Sequence, residues 1–380
     1  MRVYLDNGAT TKTDHEVVKA MMPYFTEVYG NASSLHSIGE EASKALQNVR
    51  KTIAQKINAM PEEIIFTSGG TESDNLAIKG VAYANKEKGR HIITTKIEHH
   101  AVLYTCKQLE REGFEVTYLN VDAEGFVDLK ELEKNIKEGT ILVSIMYANN
   151  EIGTIEPIEE IGKICKKHKI IFHTDAVQSF CKVPIDVKKM NIDLLSASSH
   201  KIHGPKGIGM LYVRKGTQIQ RMADGGEQEF RLRAGTENIA GAVGFAKAVE
   251  LANEADCQRM AKLRDKLING LLAIENTKLN GPRERLCNNA NISFNFIEGE
   301  GLLYMLNDMG IEVSTGSACS SKSLAPSHVL LAIGLRHEVA HGSIRFTLSK
   351  YTTEQEIDYT IEKVKEAVTK LRRISPLQVS

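Results

Sequence analysis

Ile64-Ile65-Phe66-Thr67-Ser68-Gly69-Gly70-Thr71-Glu72-Ser73 is the stretch that decides the fold. A short run of β-branched and aromatic residues passes through a polar turn with two glycines, and a helical pattern follows from Asp74 to Glu87. This order is typical of a βα unit in a parallel sheet, where the unpaired N–H groups at the helix start can bind an anion. The turn alone is weak evidence for phosphate binding, since an ordinary turn with a Ser or Thr cap has the same sequence.

The same alternation continues on both sides of this stretch. Helical patterns, such as Val102–Arg111 and Ile158–His168, separate short apolar runs that read as strands covered on both faces. The sequence therefore predicts an α/β fold around a mainly parallel sheet with seven strands: Ile64–Thr67, His91–Thr94, Glu115–Leu119, Ile141–Met146, Ile170–His173, Leu194–Ser196 and Met210–Val213.

The pattern changes after about Leu251. A long helical stretch covers Met260–Ile274, a β-like run follows at Asn291–Phe296, and a last helix carries apolar residues at spacings of three and four. A chain of 380 residues suits one large domain and one smaller one. We therefore expect a second, smaller α+β domain at this end.

Composition excludes some classes of partner. Lys and Arg together number 48, as do Asp and Glu, so no overall charge attracts nucleic acid or an anionic membrane. No apolar stretch is long enough to span a bilayer, and the acid at Asp6 argues against a signal peptide. We expect a cytoplasmic protein that binds neither nucleic acid nor membranes directly.

Six cysteines are scattered along the chain, and neither a Cys-x-x-Cys pair nor a zinc-ligand spacing is present. No metal site is therefore predicted. Five of the cysteines read as buried thiols, whereas Cys319 lies among small residues in Ser314-Thr315-Gly316-Ser317-Ala318-Cys319-Ser320-Ser321. Nothing in that loop can pack as core, so Cys319 is expected to be exposed.

Two further motifs follow predicted strands. Asp175 in His173-Thr174-Asp175-Ala176-Val177-Gln178 could partner a cation such as a protonated ring nitrogen, and Lys201 in Ser198-Ser199-His200-Lys201 could form a Schiff base. Each residue also has an ordinary interpretation: Asp175 could cap the next helix, and Lys201 could be a solvated loop lysine. Together with the glycine turn they supply the amine, the pyridinium partner and the phosphate cradle that pyridoxal 5′-phosphate (PLP) requires.

These motifs resemble the cysteine desulfurases of the NifS/IscS type, on the fold of the class V aminotransferases. The resemblance extends from Tyr4 to Leu377 and includes Glu98-His99, Asn149-Asn150-Glu151-Ile152-Gly153, Gly235-Thr236-Glu237-Asn238 and Gly316-Ser317-Ala318-Cys319. It implies the PLP-dependent transferase fold type I. It also implies a large PLP-binding domain of residues 16–257, and a small domain of residues 1–15 with 258–380 that carries the catalytic cysteine loop.

The resemblance also implies roles for single residues. Lys201 resembles the Schiff-base lysine that moves the Cα proton, His99 the imidazole that stacks on the ring, and Cys319 the nucleophile and sulfur carrier. Asn150 and Arg345 resemble the clamp on the substrate carboxylate. The remaining cofactor contacts implied are Gly70, Thr71, Asn150, Asp175, Gln178, Ser198, His200 and, from a second subunit, Thr236.

The implied reaction converts L-cysteine to L-alanine and leaves a persulfide on Cys319. The long Cys319 loop resembles that of the branch that hands sulfur to an iron–sulfur scaffold protein, and another acceptor, such as a tRNA-thiolation relay, stays open. So do two other functions, a selenocysteine lyase and a non-catalytic scaffold protein with this fold. Glu227, Phe230 and Arg231 depart from the family pattern in the loop that resembles a dimer contact.

Overall fold

The computed structural model describes residues 1–316 and 326–375, and its strands follow the predicted alternation. The strands in these residues are β1 (Val3–Tyr4), β2 (Ile64–Thr67), β3 (His91–Thr95), β4 (Glu115–Leu119), β5 (Thr140–Ser144), β6 (Ile171–Asp175), β7 (Leu194–Ser198), β8 (Gly209–Val213), β9 (Thr277–Leu279), β10 (Asn289–Phe294), β11 (Ile311–Glu312) and β12 (Ser343–Thr347).

Helices separate most of these strands. The α-helices are α1 (His15–Met21), α2 (Pro23–Thr26), α3 (Ser37–Lys56), α4 (Gly70–Asn85), α5 (His100–Arg111), α6 (Leu129–Asn135), α7 (Ile158–His168), α8 (Ile239–Leu251), α9 (Glu254–Leu272), α10 (Gly299–Asp308), α11 (His328–Ala332), α12 (His337–His341) and α13 (Glu354–Ile374). Short 3-10 turns cover Pro61–Glu63, Ser199–Lys201 and Glu229–Arg231.

Seven strands form one mainly parallel sheet, as predicted. Their order is β2-β8-β7-β6-β5-β3-β4, and β8 runs antiparallel to both of its neighbours. β6 extends two residues beyond its predicted end because Asp175 still pairs with Ser196 of β7. This extension places the Asp175 carboxyl group at the carboxyl edge of the sheet, where α/β proteins bind ligands.

Both faces of the sheet are covered by helices. Adjacent residues of β2 point to opposite faces, so Ile65 joins one buried cluster with Leu76 of α4, and Phe66 joins another with Phe245 of α8. This arrangement explains why the strands read as continuous apolar runs, since a strand that is buried on both faces has no polar side.

A second core lies among the carboxyl-terminal elements. β12, β10 and β9 form an antiparallel sheet, β1 pairs in parallel with β11, and α9 and α13 pack on each other. α13 begins with a capping box in which the Thr353 side chain accepts from Glu356 N and the Glu356 carboxylate accepts from Thr353 N. Its predicted apolar face is buried at Ile357, Val364 and Val368.

The helices of the described residues are either too short or too polar to span a membrane. Within residues 1–316 and 326–375, no helix is both long enough and apolar enough to cross a bilayer.

Candidate active site

A cavity of about 190 Å³ lies at the carboxyl edge of the large sheet. The start of α4, the ends of β6 and β7, the 3-10 turn after β7, β12 and the amino-terminal segment meet there. The structure brings ten of the predicted site residues to this cavity: Gly70, Thr71, His99, Asn150, Asp175, Gln178, Ser198, His200, Lys201 and Arg345.

Lys201 lies in the 3-10 turn directly after β7. Its Nζ donates to the carbonyl oxygens of Gly8, at 2.5 Å, and Ala9, at 2.9 Å. The turn itself is tied to the same segment, because the Thr11 N–H donates to the His200 carbonyl at 3.0 Å. The amino-terminal segment therefore holds the lysine amine at the cavity.

Asp175 presents a buried carboxyl group to the cavity. Burial raises its pKa to about 6, although the Val177 N–H at 2.9 Å and the charge of Lys201 lower it. Burial likewise raises the pKa of the neighbouring Asp74 carboxyl well above its ordinary value, and the Asp74 Oδ1 atom has no hydrogen-bond partner. A buried carboxylate in this position favours a cationic group such as a protonated heterocyclic nitrogen.

His99 caps the amino terminus of α5. Its Nδ1 accepts from the Ala101 N–H at 3.2 Å, so the proton of the neutral ring lies on Nε2. Burial and the charge of Lys201 lower the pKa of His99 to about 4, which keeps the imidazole neutral at pH 7. One ligand atom each from His99, Asp74 and Asp175 lie within 4.8 Å of one another. A neutral ring beside the two carboxyl groups suits a flat heterocycle that stacks on it.

The start of α4 provides the anion-binding end of the cavity. A Cβ atom at Gly70 would come within 2.6 Å of Val177 Cγ2, so glycine keeps this approach open. α4 has 16 residues, and Ser198 and His200 line the same cavity as its first turn. Unpaired N–H groups at a helix start, with a hydroxyl and an imidazole nearby, fit a phosphate.

Arg345 and Asn150 meet at another wall of the cavity. Arg345 is only 1% exposed; its Nη2 lies 2.9 Å from Asp6 Oδ1, and its Nη1 donates to the Asn150 carbonyl at 3.1 Å. Its Nε atom has no hydrogen-bond partner. A buried guanidinium with an unused donor suits a carboxylate, and Asp6 already takes up part of its charge.

Two predicted residues do not line this cavity. Thr236 is exposed in a loop away from it, and Cys319 lies outside the described residues. Sequence reasoning missed several wall residues: Gly8, Ala9, Asp74, Met146, Ala148 and Val177. Asp74 directly follows the glycine turn, and its position in the first turns of α4 is a signal that could have identified it.

Comparison with known proteins assigns the family. The family model described as class-V aminotransferase matches residues 3–360, and the chain belongs to this family. The chain is similar to the protein named cysteine desulfurase IscS of Methanosarcina thermophila, with 57% identity over 379 residues that cover 99% of this chain and 94% of that protein.

Solved structures agree with this assignment. A structure titled NifS-like protein has a TM-score of 0.92 and 44% identity, and the match covers 98% of this chain and 100% of that one. A second, titled SspA in complex with cysteine, has a TM-score of 0.84 and 41% identity over 92% of this chain and 100% of that one. The cofactor of this chain is PLP. The Lys201 amine, the buried Asp175 and the open start of α4 fit its aldehyde, its ring nitrogen and its phosphate.

Proposed function

We propose that this protein is a cysteine desulfurase that converts L-cysteine to L-alanine and holds the sulfur as a persulfide on Cys319. The observation that carries the proposal is the meeting of Lys201, Asp175 and Arg345 in one cavity. An amine, an acid for a ring nitrogen and a clamp for a carboxylate are what an amino acid and PLP need side by side. The 57% identity to a cysteine desulfurase supports the substrate.

Each end of the cofactor has a set of proposed contacts. Lys201 would hold the aldehyde carbon, Asp175 the ring nitrogen, and Gln178 the phenolic oxygen, with His99 stacked on the ring. Gly70, Thr71, Ser198 and His200 would hold the phosphate, together with Thr236 of a second subunit. Gln178 Nε2 and Lys201 Nζ now both donate to the Gly8 carbonyl, at 3.0 Å and 2.5 Å, so both donors would have to turn from that oxygen.

The proposed steps follow from these positions. When bound, PLP supplies the electron sink for bond cleavage at the amino-acid Cα. Arg345 and Asn150 orient the substrate carboxylate, and the Lys201 amine takes the Cα proton and later returns it. The Cys319 thiolate attacks the substrate sulfur, a S–S bond forms as the Cβ–S bond breaks, and the sulfur stays on Cys319.

We also propose the assembly and the setting of the enzyme. The large domain would comprise residues 16–257, and the small one residues 1–15 with 258–380, a division supported by two separate hydrophobic clusters. A homodimer would let the exposed Thr236 reach the neighbouring cavity. The acceptor would be an iron–sulfur scaffold protein, in keeping with the IscS name of the relatives, or a tRNA-thiolation relay. The location would be the cytoplasm.

Incubation with cysteine tests the proposed function. Wild-type protein should release alanine and carry a persulfide on Cys319, both measured by mass spectrometry. Cys319→Ala should keep the yellow cofactor and still bind cysteine, yet lose desulfuration on the order of 100-fold or more, because the nucleophile is gone. Turnover of selenocysteine by both proteins separates a lyase from a desulfurase, and absence of turnover with either amino acid would indicate a scaffold protein.

The other five cysteines serve as peptide-mapping controls in this experiment. They are Cys106, Cys165, Cys181, Cys257 and Cys287. A persulfide on one of these residues, or desulfuration at the wild-type rate by Cys319→Ala, would contradict the role proposed for Cys319.

A further inference from the structure

Three cysteines lie close together outside the cofactor cavity. Cys257 is in the first turn of α9, Cys287 precedes β10, and Cys181 follows β6. The Cys257 Sγ atom donates to the Cys181 carbonyl at 3.9 Å and shares a hydrogen bond with the Cys287 thiol. All three residues are partly exposed, whereas Cys106 and Cys165 are buried. We call Cys257 and Cys287 the thiol pair.

The surroundings of the two thiols affect their pKa values differently. The amino terminus of a long helix favours negative charge, and Cys257 is the fourth residue of the 19-residue α9. The Cys287 hydrogen bond, with the charges of Lys182 and Lys56, lowers the pKa of Cys257 to about 7 against the opposing effects of burial and Asp256. The same hydrogen bond and burial raise the pKa of Cys287. The start of α9 and the charge of Lys56 both act on Cys257, which makes it the nucleophile of the pair.

Cys257 is reachable from the surface. A groove of about 520 Å³ is lined by Cys257, Cys181 and Lys182, and a smaller cavity of about 50 Å³ is lined by both Cys257 and Lys201. The Lys182 Nζ also donates to the Gln178 carbonyl at 2.9 Å. A small oxidant has room to reach Cys257, which shares a cavity with Lys201.

We propose that Cys257 and Cys287 are a modification site, which hydroperoxides oxidise to a reversible disulfide. The Cys257 thiolate attacks one oxygen of hydrogen peroxide, the O–O bond breaks, and hydroxide leaves, which gives a sulfenic acid after proton transfer. The Cys287 thiol then attacks the Cys257 sulfur; the S–S bond forms and water leaves. Two thiols lose two electrons, one peroxide becomes two waters, and a dithiol reductant reverses the change.

Peptide mapping of the holoenzyme tests the site. The protein is treated with hydrogen peroxide, remaining thiols are alkylated, and the digest is compared with and without dithiothreitol. Trypsin alone leaves Cys287 and Cys319 on one peptide, since no Lys or Arg lies between Arg285 and Lys322. Glu-C is therefore added to cleave after Glu298. We expect a dithiothreitol-sensitive peptide pair that joins Cys257 to Cys287, while Cys106 and Cys165 stay reduced.

Two matched variants assign the order of reaction. Cys257→Ser should leave Cys287 reduced, because the nucleophile is missing. Cys287→Ser should leave Cys257 as a sulfenic acid that dimedone traps. In the absence of peroxide both variants should desulfurate cysteine like wild type, so the outcome is separate from that of the proposed function. Alkylation of Cys257 by iodoacetamide should accelerate about tenfold from pH 6 to pH 8 and then level off, in line with its thiolate fraction.

Other outcomes would overturn the proposal. In wild type, one such outcome is that Cys257 and Cys287 both still react with the alkylating reagent after peroxide treatment. Another is a disulfide that joins Cys257 to Cys181 or Cys319 instead of Cys287. In the variants, oxidation of Cys287 at the wild-type rate in Cys257→Ser would show that Cys257 is not the nucleophile.

Discussion

Glu98 is a fully buried acid behind the cavity, and its surroundings determine its protonation. Its Oε1 accepts from the Thr95 hydroxyl at 2.7 Å and from the Met146 N–H at 3.0 Å, while Oε2 has no partner. Burial raises the pKa of Glu98 to about 8, although the two hydrogen bonds lower it. The side chain is therefore neutral at pH 7 and resembles an amide in its hydrogen bonding.

Glu98→Gln should remove a pH dependence of stability. The folded protein holds the Glu98 proton up to about pH 8, whereas the unfolded chain releases it near pH 4.5, so the free energy of unfolding falls as pH rises between these values. Between pH 5 and pH 8 the free energy of unfolding of the variant should rise by about 3 kcal/mol relative to that of wild type. Thermal unfolding across this range measures the gain. The exposed control Glu87→Gln should show the same pH dependence of stability as wild type. If Glu98→Gln also showed the wild-type pH dependence, Glu98 would not be protonated in the folded protein.

Lys201→Ala should uncouple the cofactor from the chain. The variant loses the only amine proposed to bind the aldehyde, so borohydride should no longer add the cofactor mass to the protein, and alanine formation should stop. Lys206→Ala, an exposed change in the same loop, should behave like wild type in both measurements. A lysine adduct together with normal turnover in Lys201→Ala would rule out the assignment.

At the scale of elements, the loop around Phe230 explains part of its departure from the family. Glu229, Phe230 and Arg231 all have positive φ, which side chains rarely adopt. Glu229 is buried, with its carboxylate 2.7 Å from Arg50 Nη2 and 2.9 Å from the Phe66 N–H. The Arg50 guanidinium contacts the Phe66 and Phe230 rings, at 4.8 Å and 4.9 Å from their centroids. Phe230 thus closes one side of a buried ion pair.

Changes in this loop should have graded effects on stability. Glu229→Ala leaves Arg50 buried without its partner and should cost about 3–5 kcal/mol. Phe230→Ala removes one cation–π contact and should cost about 0.5–1 kcal/mol. The control Glu227→Ala breaks only an exposed pair with Arg231 and should change little. Urea unfolding measures all three. An effect of Glu227→Ala as large as that of Glu229→Ala would show that backbone disturbance, not the buried pair, governs the loop.

Local pattern predicted the large sheet because its strands are short runs rich in β-branched and apolar residues between turns. The predicted ends of some strands differ from the observed ones: β5 stops at Ser144 rather than Met146, and β10 starts at Asn289 rather than Asn291. β1 and β11 could not be predicted, since two-residue strands gain their hydrogen bonds only from a partner that lies about 300 residues away. Sequence pattern thus identified the seven strands of the large sheet, and it missed the two-residue strands as well as β9 and β12 of the small sheet.

At the scale of the whole molecule, the proposed homodimer predicts shared sites. Several apolar side chains near the amino terminus are exposed in the single chain, among them Phe25 at 59% and Leu35 at 104%, which suits a partner surface. Light scattering should give twice the chain mass of 42.1 kDa. An active species of 42.1 kDa would contradict the dimer.

Subunit mixing tests the place of Thr236. Thr236→Ala and Lys201→Ala should each be weak or inactive alone, whereas mixed dimers contain one cavity with both wild-type residues. Equal mixing after subunit exchange should restore about a quarter of wild-type activity, because half of the dimers have one intact site. The same proteins, mixed without exchange, serve as the control. No recovery after exchange would place Thr236 in the cavity of its own chain, and full activity of Thr236→Ala alone would place it outside both cavities.

The wall of the cavity shows what the sequence left open. Lys201 and Asp175 could be chosen because each follows a predicted strand, and strand ends of a parallel sheet share one edge. Gly8 and Ala9 could not, since they contribute backbone carbonyls, which every residue has, and reach Lys201 across about 190 residues. A sequence can predict contacts made by chemically distinctive side chains, such as an amine or a carboxylate. It cannot predict contacts made by backbone groups, which all residues share.

The Asp6–Arg345 ion pair has a consequence for biosynthesis. It joins residues 339 positions apart, and the Thr347 N–H donates to the Leu5 carbonyl beside it. A ribosome makes Asp6 339 residues before it makes Arg345. The Asp6 carboxylate and the Leu5 carbonyl must therefore wait for these partners until β12 leaves the exit tunnel. A nascent chain that still lacks β12 has every strand of the large sheet but not the Arg345 wall of the cavity, so firm binding of the cofactor has to follow the synthesis of β12.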